Sequence, residues 1–340
     1  MDPFAKRRLG KSRLEVSVLG LGGAPLGDFY AKLDEQVALA TIAAAYERGV
    51  RLFDTAPLYG QGKSEHRFGH VLRALPKHDF VLSTKVGRHL VPEQPDKVDH
   101  SWFKGGLNFR PVVDYSYDGT MRAIDQSFNR LGIEKIDVLL IHDVDIWSHG
   151  TREAYEQRFR EAMAGAHKAL VELRGQGVIG AIGVGVNEVE PSIRFATEGD
   201  IDCIMLAGRY TLLEHLALPE LLPLAARKGI SFLIAGPYNS GILATGAVPG
   251  AKYNYRDAPP EIMARVAGIE AVCKRHNVPL AAAALQFPLG HPSVAAMVPG
   301  AVTPQEVERN ISLMGAAIPA DLWAELKHEK LLPAEAPTPG

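Results

Sequence analysis

A carboxylate, a phenol, an amine and an imidazole stand just past the ends of three consecutive apolar segments. Gly49-Val50-Arg51-Leu52-Phe53 runs into Asp54 and, five residues later, Tyr59; Phe80-Val81-Leu82-Ser83-Thr84 runs into Lys85; Ile136-Asp137-Val138-Leu139-Leu140-Ile141 runs into His142-Asp143. Short apolar runs of this kind read as buried parallel strands. Groups of these types move protons, and a phenol gives one to a carbonyl or takes one from a hydroxyl. Singly, each has an ordinary reading: Asp54 as a helix cap, Tyr59 as a plug in the rim of a core, Lys85 as a solvated loop lysine, His142 as a hydrogen-bonded histidine. Together they form a constellation, because parallel strands closed into a barrel share one C-terminal face, and active sites sit there.

The elements that must position these groups alternate along the chain. Residues 6 to 19 read as a hairpin about Gly10-Lys11-Ser12 ahead of the main fold. Strands are expected at Val18–Leu21, Val50–Phe53, Phe80–Thr84, Ile136–Ile141, Val178–Val184, Asp202–Leu206, Ile230–Ile234 and Val294–Val298. Helical patterns fill the gaps, as at Asp34–Arg48, Gly119–Leu131, Glu153–Arg174, Pro219–Lys228 and Glu261–His276. Eight strands each followed by a helix describe a (β/α)8 TIM barrel, α/β in class, better than an open sheet. About thirty residues between Lys85 and the helix near Gly119 are too many for an ordinary connection, so a long loop after strand 3 should overhang the active face. No linker or internal repeat divides residues 1–340, which read as a single domain with a flexible tail from about residue 333.

Composition bounds the partners. The 340 residues are 46% hydrophobic, with 37 Lys plus Arg against 39 Asp plus Glu and a formal charge of -2. No basic footprint for nucleic acid or an anionic membrane is present. Met1 to Arg8 lack the apolar run of a signal peptide, and no stretch of about 18 apolar residues occurs, so a cytoplasmic protein with small-molecule partners is expected. Oligomeric state is left undetermined. Cys203 and Cys273 lie far apart without a metal-ligand pattern and read as inert core thiols; no HExxH or carboxylate pair at metal spacing appears, and no catalytic metal is expected. Gly20-Leu21-Gly22-Gly23-Ala24-Pro25 fails as a dinucleotide fingerprint, since Pro25 holds the third glycine position. Gly10-Lys11-Ser12 and Gly62-Lys63-Ser64 lack the earlier glycine of a P-loop.

With Asp54, Tyr59, Lys85 and His142 at the ends of strands two to four, the sequence resembles the aldo-keto reductases over nearly its whole length. Phe53-Asp54-Thr55-Ala56 with Tyr59-Gly60, Ser64-Glu65, Arg130-Leu131-Gly132 with Asp137, Ile182-Gly183-Val184, and Val298-Pro299-Gly300 followed by Asn310 carry the likeness. Asp114-Tyr115-Ser116-Tyr117-Asp118-Gly119, Ile141-His142-Asp143-Val144-Asp145 and the segment Leu206 to Glu214 look like its sugar 1-dehydrogenase branch. That branch includes L-fucose (D-threo-aldose) 1-dehydrogenases, with a pyridoxal 4-dehydrogenase and plant L-galactose dehydrogenases as relatives.

The resemblance implies an NAD-dependent enzyme that oxidises the anomeric hydroxyl of an aldose to a lactone. A pyridoxal dehydrogenase or general aldehyde reductase is the alternative, and a nucleotide-binding regulatory subunit the non-enzymatic one. Tyr59 would be the general acid or base. Its ordinary pKa of about 10 must fall by roughly three units for basicity near neutrality, about 4 kcal/mol. A lysine about 4 Å away supplies that at an effective dielectric near 20, so Lys85, held by Asp54, is expected to lower the phenol. His142 would hydrogen-bond the substrate oxygen. The implied nucleotide contacts are Asp54, Asn187, Gly236, Pro237, Tyr238, Asn239, Gly241, Leu243, Gly300, Glu306 and Asn310. Where relatives carry Ser-Asn, Gln and an aromatic about the nicotinamide, this chain has Gly185-Val186, Ala207 and Ala235, leaving Asn187 and Arg209 as substitutes. Relatives that prefer NADP commonly carry cations at the positions of Gly300 and Glu306, so NAD is expected over NADP. Substrate contacts are expected from Tyr59, Trp102, His142 and Asp143, with Phe103, Lys104, Asn108 and Arg110 also carried over the mouth by the long loop.

Overall fold

The computed structural model describes the whole chain, Met1–Gly340. Eight parallel strands pair in chain order: β1 (Leu21–Gly22), β2 (Leu52–Asp54), β3 (Val81–Val86), β4 (Val138–His142), β5 (Ala181–Val186), β6 (Cys203–Ala207), β7 (Ser231–Ala235) and β8 (Val294–Val298). The sheet closes where Leu19 bridges Met297 and Gly22 bridges Gly300. There the Gly20 N–H donates to Met297 O and the Met297 N–H to Val18 O, both at 2.8 Å. The expected (β/α)8 barrel is therefore present, with helices between the strands.

Period-two alternation decides which side chains enter the barrel. In β2, Leu52 belongs to the interior cluster and Phe53 to the layer under the helices, so Asp54 returns inward. In β3, Val81 is interior and Leu82 exterior, which turns Ser83 and Lys85 inward. In β4, Val138 and Leu140 are interior, Leu139 and Ile141 exterior, and His142 inward. The same parity that fills the barrel with aliphatics thus delivers an acid, an amine and an imidazole at its C-terminal rim. The opposite end is closed by the hairpin Lys6–Arg8/Glu15–Ser17, whose Leu9 and Val16 join the interior cluster.

Most strands begin later than the sequence suggests. Residues 178–180 form the connection into β5, because Gly177 turns at φ 74° and leaves Val178 exposed. The expected helix Glu153–Arg174 is Arg152–Gly175 with a π-helical segment at Met163–His167. That wider turn brings Ala166 N–H to Tyr115 O at 2.8 Å. Helices Lys63–Leu72 and Val189–Glu198 complete the ring with others nearer the C-terminus. No helix is long and apolar enough to cross a membrane.

Two segments without a regular pattern in the sequence pack against the barrel. The long connection after β3 contains a ribbon, Arg88–Pro92 paired with Phe109–Val113, bound to the next helix where Gln126 exchanges hydrogen bonds with Leu90 N and O. Only its tip crosses the mouth. The C-terminal tail, expected to be flexible from residue 333, packs down instead: Leu332 and Ala336 are buried, and Pro337 and Thr338 lie against Gly290. Cys203 and Cys273 are both buried free thiols.

Gly300 emerges as a closure residue. A Cβ there would lie 2.4 Å from Pro25 Cγ, across the seam between β1 and β8. Gly300→Lys should therefore destabilise the fold by roughly 1–3 kcal/mol, as overpacking does. An unchanged denaturant midpoint relative to wild type would show that Pro25 yields freely.

Candidate active site

The four residues at the strand ends meet at the C-terminal mouth of the barrel. Lys85 Nζ donates to Asp54 Oδ2 and to Thr55 O, both at 2.7 Å, and Ser83 Oγ donates to Asp54 Oδ1 at 2.9 Å. Lys85 and Asp54 are both buried. Tyr59 sits over them, with the Lys85 ammonium 4.7 Å from the ring centroid, and meets the His142 ring edge-on at 5.9 Å. The turn carrying Tyr59 is pressed onto Gly27, where a Cβ would come within 2.6 Å of the Tyr59 backbone, and Gly60 follows at φ 64°.

The expected electrostatics need one correction. Burial raises the Tyr59 phenol well above its ordinary value; Asp54, Asp143 and Tyr255 add to the rise, and Arg88 opposes it. Asp54, 2.7 Å from Lys85, largely cancels the field that was expected to depress the phenol. Tyr59 is accordingly a protonated phenol at neutral pH in this geometry. Burial lowers His142 well below its ordinary value, with Lys85 and Arg88 pushing the same way, so its imidazole is neutral.

A clamp that the sequence did not disclose surrounds His142. Asp143 adopts φ 55°, a left-handed conformation uncommon outside glycine. Its N–H donates to Gly185 O at 2.8 Å, while the buried Tyr115 hydroxyl donates to His142 O at 2.7 Å and lies 3.2 Å from Asp143 O. The Asp143 carboxylate lies 3.0 Å from Arg88 Nη1, 3.3 Å from Asn187 Nδ2 and 3.5 Å from His142 Nε2. Gly87, at φ 101°, admits this packing, since a Cβ would lie 2.2 Å from the Tyr115 ring. Their place two and three residues past Lys85 is the one sequence signal that could have found Gly87 and Arg88.

The segments assigned to a nucleotide lie on the β7–β8 side of the mouth. Tyr238 donates to Asn310 Oδ1 at 2.7 Å, joining the loop after β7 to the helix Pro304–Gly315. Gly236, at φ 57°, and Gly241, at φ 103°, bracket the loop, and a Cβ at Gly241 would meet nothing within 4 Å. That open space beside bare backbone suits a pyrophosphate. Pro237 and the fully buried Leu243 belong to the loop's packing. Both polar atoms of the Asn239 amide are engaged internally, with Gly208 O and Thr211 Oγ1, which leaves that side chain holding the loop. Asn187 gives its side-chain amide N–H to Asp143 and Asp145, and its backbone carbonyl accepts from Arg209 Nε at 2.8 Å. Glu306, in the first turn of a helix capped by Thr303, accepts from Val302 N–H at 2.8 Å.

Aromatic side chains frame the entrance. Phe103 is buried and lies 6.1 Å from the Tyr59 ring, closer to the chemistry than the exposed Trp102. Trp102 stands outside it, against Phe29, Tyr30 and Tyr255. Arg110 turns away and pairs with Glu93.

Known proteins resemble this chain over nearly its whole length. Residues 18–329 match the model of the Aldo/keto reductase family. A pyridoxal 4-dehydrogenase from Microbacterium luteolum is 42% identical over 96% of this chain and 98% of its own. A D-threo-aldose 1-dehydrogenase from a Pseudomonas species is 38% identical, with 94% and 96% covered. The holo form of an aldo-keto reductase from Bacillus halodurans superposes with a TM-score of 0.75 at 27% identity, covering 98% of each chain. The chain belongs to the aldo/keto reductase family and is an NAD(P)-dependent oxidoreductase.

Two cations near a buried imidazole give a direct test. His142 should titrate well below pH 6.5 by NMR, and Arg88→Met should move that titration upward by removing one of them. A His142 ring already protonated at pH 6.5 in the wild type, or one unmoved in the variant, would contradict the clamp's electrostatics.

Proposed function

We propose that this aldo-keto reductase oxidises the anomeric hydroxyl of an aldose, in its cyclic hemiacetal form, to a lactone with NAD as oxidant. The observation that carries the reading is the meeting of Tyr59 and His142, edge to face at 5.9 Å, above the Lys85–Asp54 pair. One substrate oxygen placed between them contacts a proton-transfer group and a neutral imidazole donor at once. Bound NAD would supply the two-electron acceptor that takes hydride from the anomeric carbon. The chain's own part is to bind, orient and deprotonate. His142 holds the hydroxyl oxygen, Tyr59 in its phenolate form receives the proton and becomes the neutral phenol, and Lys85 beneath the ring supports the negative charge that the phenolate carries before that transfer.

The names of the two similar proteins converge on this chemistry. An aldose closes one of its hydroxyls onto its aldehyde, and pyridoxal, whose aldehyde neighbours a hydroxymethyl group, closes in the same way. Loss of one proton and one hydride from either ring leaves a lactone. Pyridoxal is the second reading, favoured by the aromatic entrance of Phe29, Phe103 and Trp102. Charges lining the pocket come in opposed pairs, Lys85 with Asp54 and Arg88 with Asp143, which suits an uncharged polyol.

NAD is favoured over NADP by Glu306. Its carboxylate stands in the first turn of the helix Pro304–Gly315, held by the Val302 N–H, at the terminus where backbone N–H groups otherwise attract phosphate. The chain-closing role of Gly300 bars the simplest route to a compensating cation. Gly300, Glu306 and Asn310 would border the adenosine, Asn310 with its Tyr238 hydrogen bond in place.

Four outcomes are expected. NADH should form with a panel of L-fucose, L-galactose, D-arabinose and pyridoxal, with a lactone identified as product; no turnover with any of them would end the reading. Tyr59→Phe should lower kcat by at least about a hundredfold while NAD affinity, followed by tryptophan fluorescence, stays near wild type. Because the phenol is raised, oxidation should accelerate as pH rises from neutrality into the alkaline range, and a rate that falls over that interval would contradict a Tyr59 base. Catalytic efficiency with NADP should lie about tenfold or more below that with NAD, and Glu306→Gln should narrow the gap; equal efficiencies in the wild type would remove Glu306 from the account.

A further inference from the structure

Loops from four strands meet at a single tyrosine. Phe29 and Tyr30 follow β1, Trp102 lies on the tip after β3, Trp147 on the short helix Ile146–His149 after β4, and Tyr255 on the ribbon Lys252–Tyr253/Arg256–Asp257 after β7. The Tyr255 ring stacks on Trp147 at 5.3 Å and 16°, tilts against Trp102 at 5.8 Å, and meets Phe29 edge-on at 5.8 Å. Phe29 in turn packs on Phe103, which touches Tyr59. One aromatic chain therefore runs from the outermost ring to the proton-transfer phenol.

The backbone places Tyr255 at a cost. Asn254 and Tyr255 take φ 47° and 65°, the left-handed pair that a two-residue type I′ hairpin requires. Glycine is the favoured second residue there, and a bulky side chain in that region is a strained choice of the kind that clusters at functional sites. Both residues are pinned: the Tyr255 N–H donates to Ser240 Oγ at 3.0 Å, and Asn254 Oδ1 accepts from Arg209 Nη1 at 2.9 Å. Arg209 reaches on to Asn187 O, so the ribbon is tied to the residues that hold Asp143. The Tyr255 hydroxyl makes no hydrogen bond within the protein, and burial, with Asp143 and Asp145 beside it and Arg209 opposing, raises the phenol above its ordinary value. A ring needed only to seal the entrance has no use for that hydroxyl.

We propose that Tyr255 determines substrate specificity: its ring closes the entrance over a sugar-sized ligand, and its hydroxyl binds a ring hydroxyl of the cyclic hemiacetal away from the carbon that is oxidised. This rests on the hemiacetal reading above. A substrate without such a hydroxyl meets the ring alone, so Tyr255 separates polyhydroxylated hemiacetals from simple aldehydes. The arm is positioned by Arg209 and Asn254, and Trp147 covers its outer face.

The test compares Tyr255→Phe and Tyr255→Ala with wild type. Tyr255→Phe keeps the ring and should raise KM for the best aldose about three- to tenfold, the range of a lost neutral hydrogen bond, with the effect falling on KM rather than kcat. Affinity for NAD should be the same in all three proteins. Tyr255→Ala should in addition expose Trp102 and Trp147, seen as a red shift and stronger acrylamide quenching of fluorescence. Binding is read apart from turnover by titrating L-fucose into the NAD complex of Tyr59→Phe, with and without Tyr255→Phe. Weaker binding in the double variant supports the proposal even if the wild type forms no NADH, a result that would reject the reaction instead. Equal KM and equal titrations for Tyr255→Phe and its parent overturn it, and so does a loss confined to Tyr255→Ala, which would leave only a seal.

Discussion

A lysine and an aspartate buried inside a barrel of aliphatic side chains set the terms for this structure. Lys85 and Asp54 lie 2.7 Å apart with almost no solvent contact, where an unpaired charge costs several kcal/mol. Removing either partner leaves the other uncompensated and is expected to cost about 3–5 kcal/mol, so the pair acts as a unit. Ser83 Oγ and Thr55 O fill the remaining hydrogen-bonding positions. Burial nevertheless raises the Asp54 carboxyl above its usual range, with Lys85 and Ser83 pulling it back. The pair thus fixes an ammonium group under the Tyr59 ring while adding little net charge to the site. This is why the phenol is governed more by burial than by its lysine neighbour.

Around that pair, the site is built from close approaches of backbone. His142 arrives on the inward parity of β4, but its orientation depends on Tyr115, which bonds the carbonyls of two consecutive residues from a different connection. Asp143 is held in a left-handed conformation by these bonds and by its own N–H to Gly185 O. Gly185 leaves room beside the reacting groups, since a Cβ there would stand 3.5 Å from Lys85 Cε and 3.7 Å from His142 Cδ2. Arg88 closes the arrangement by pairing with Asp143 and keeping positive charge near an imidazole that must remain neutral.

Several motifs that mark the family in sequence prove to be cross-links of the scaffold. Ser64 Oγ accepts from Thr55 Oγ1 and donates to Gly23 O, tying the turn of Tyr59 to the connection after β1. Glu65 receives Arg130 Nε at 2.6 Å and Thr84 Oγ1 at 2.7 Å, joining two helices to β3. Asp137 accepts the Leu82 N–H at 2.8 Å. Asp28 pairs with Arg67 and Lys63, and Lys63 also holds Gly105 O, which anchors the tip of the long loop. These buried polar residues are costly to remove for the same reason as Lys85 and Asp54, and they keep the mouth in shape without touching the chemistry.

The barrel and the four polar residues at the ends of three of its strands were legible in the sequence because both follow from local rules. An apolar run long enough to cross the barrel reads as a buried strand, and alternation then dictates that Asp54, Lys85 and His142 point inward together. Strand starts were less legible, since Val178 and Ile179 are apolar yet lie in a turn that Gly177 sets. The tail looked loose for want of periodicity, although Leu332 and Ala336 bury against elements far away in the chain. Tertiary structure alone decided the rest. Tyr115 with His142, Arg88 with Asp143, and Tyr255 with Trp102 and Trp147 are meetings of separate loops, and no local pattern encodes the distance between loops. The sign of the shift at Tyr59 belongs with them. Sequence placed a lysine near a phenol, but whether the field or the burial wins depends on how closely Asp54 cancels that lysine and how much water the assembled mouth excludes.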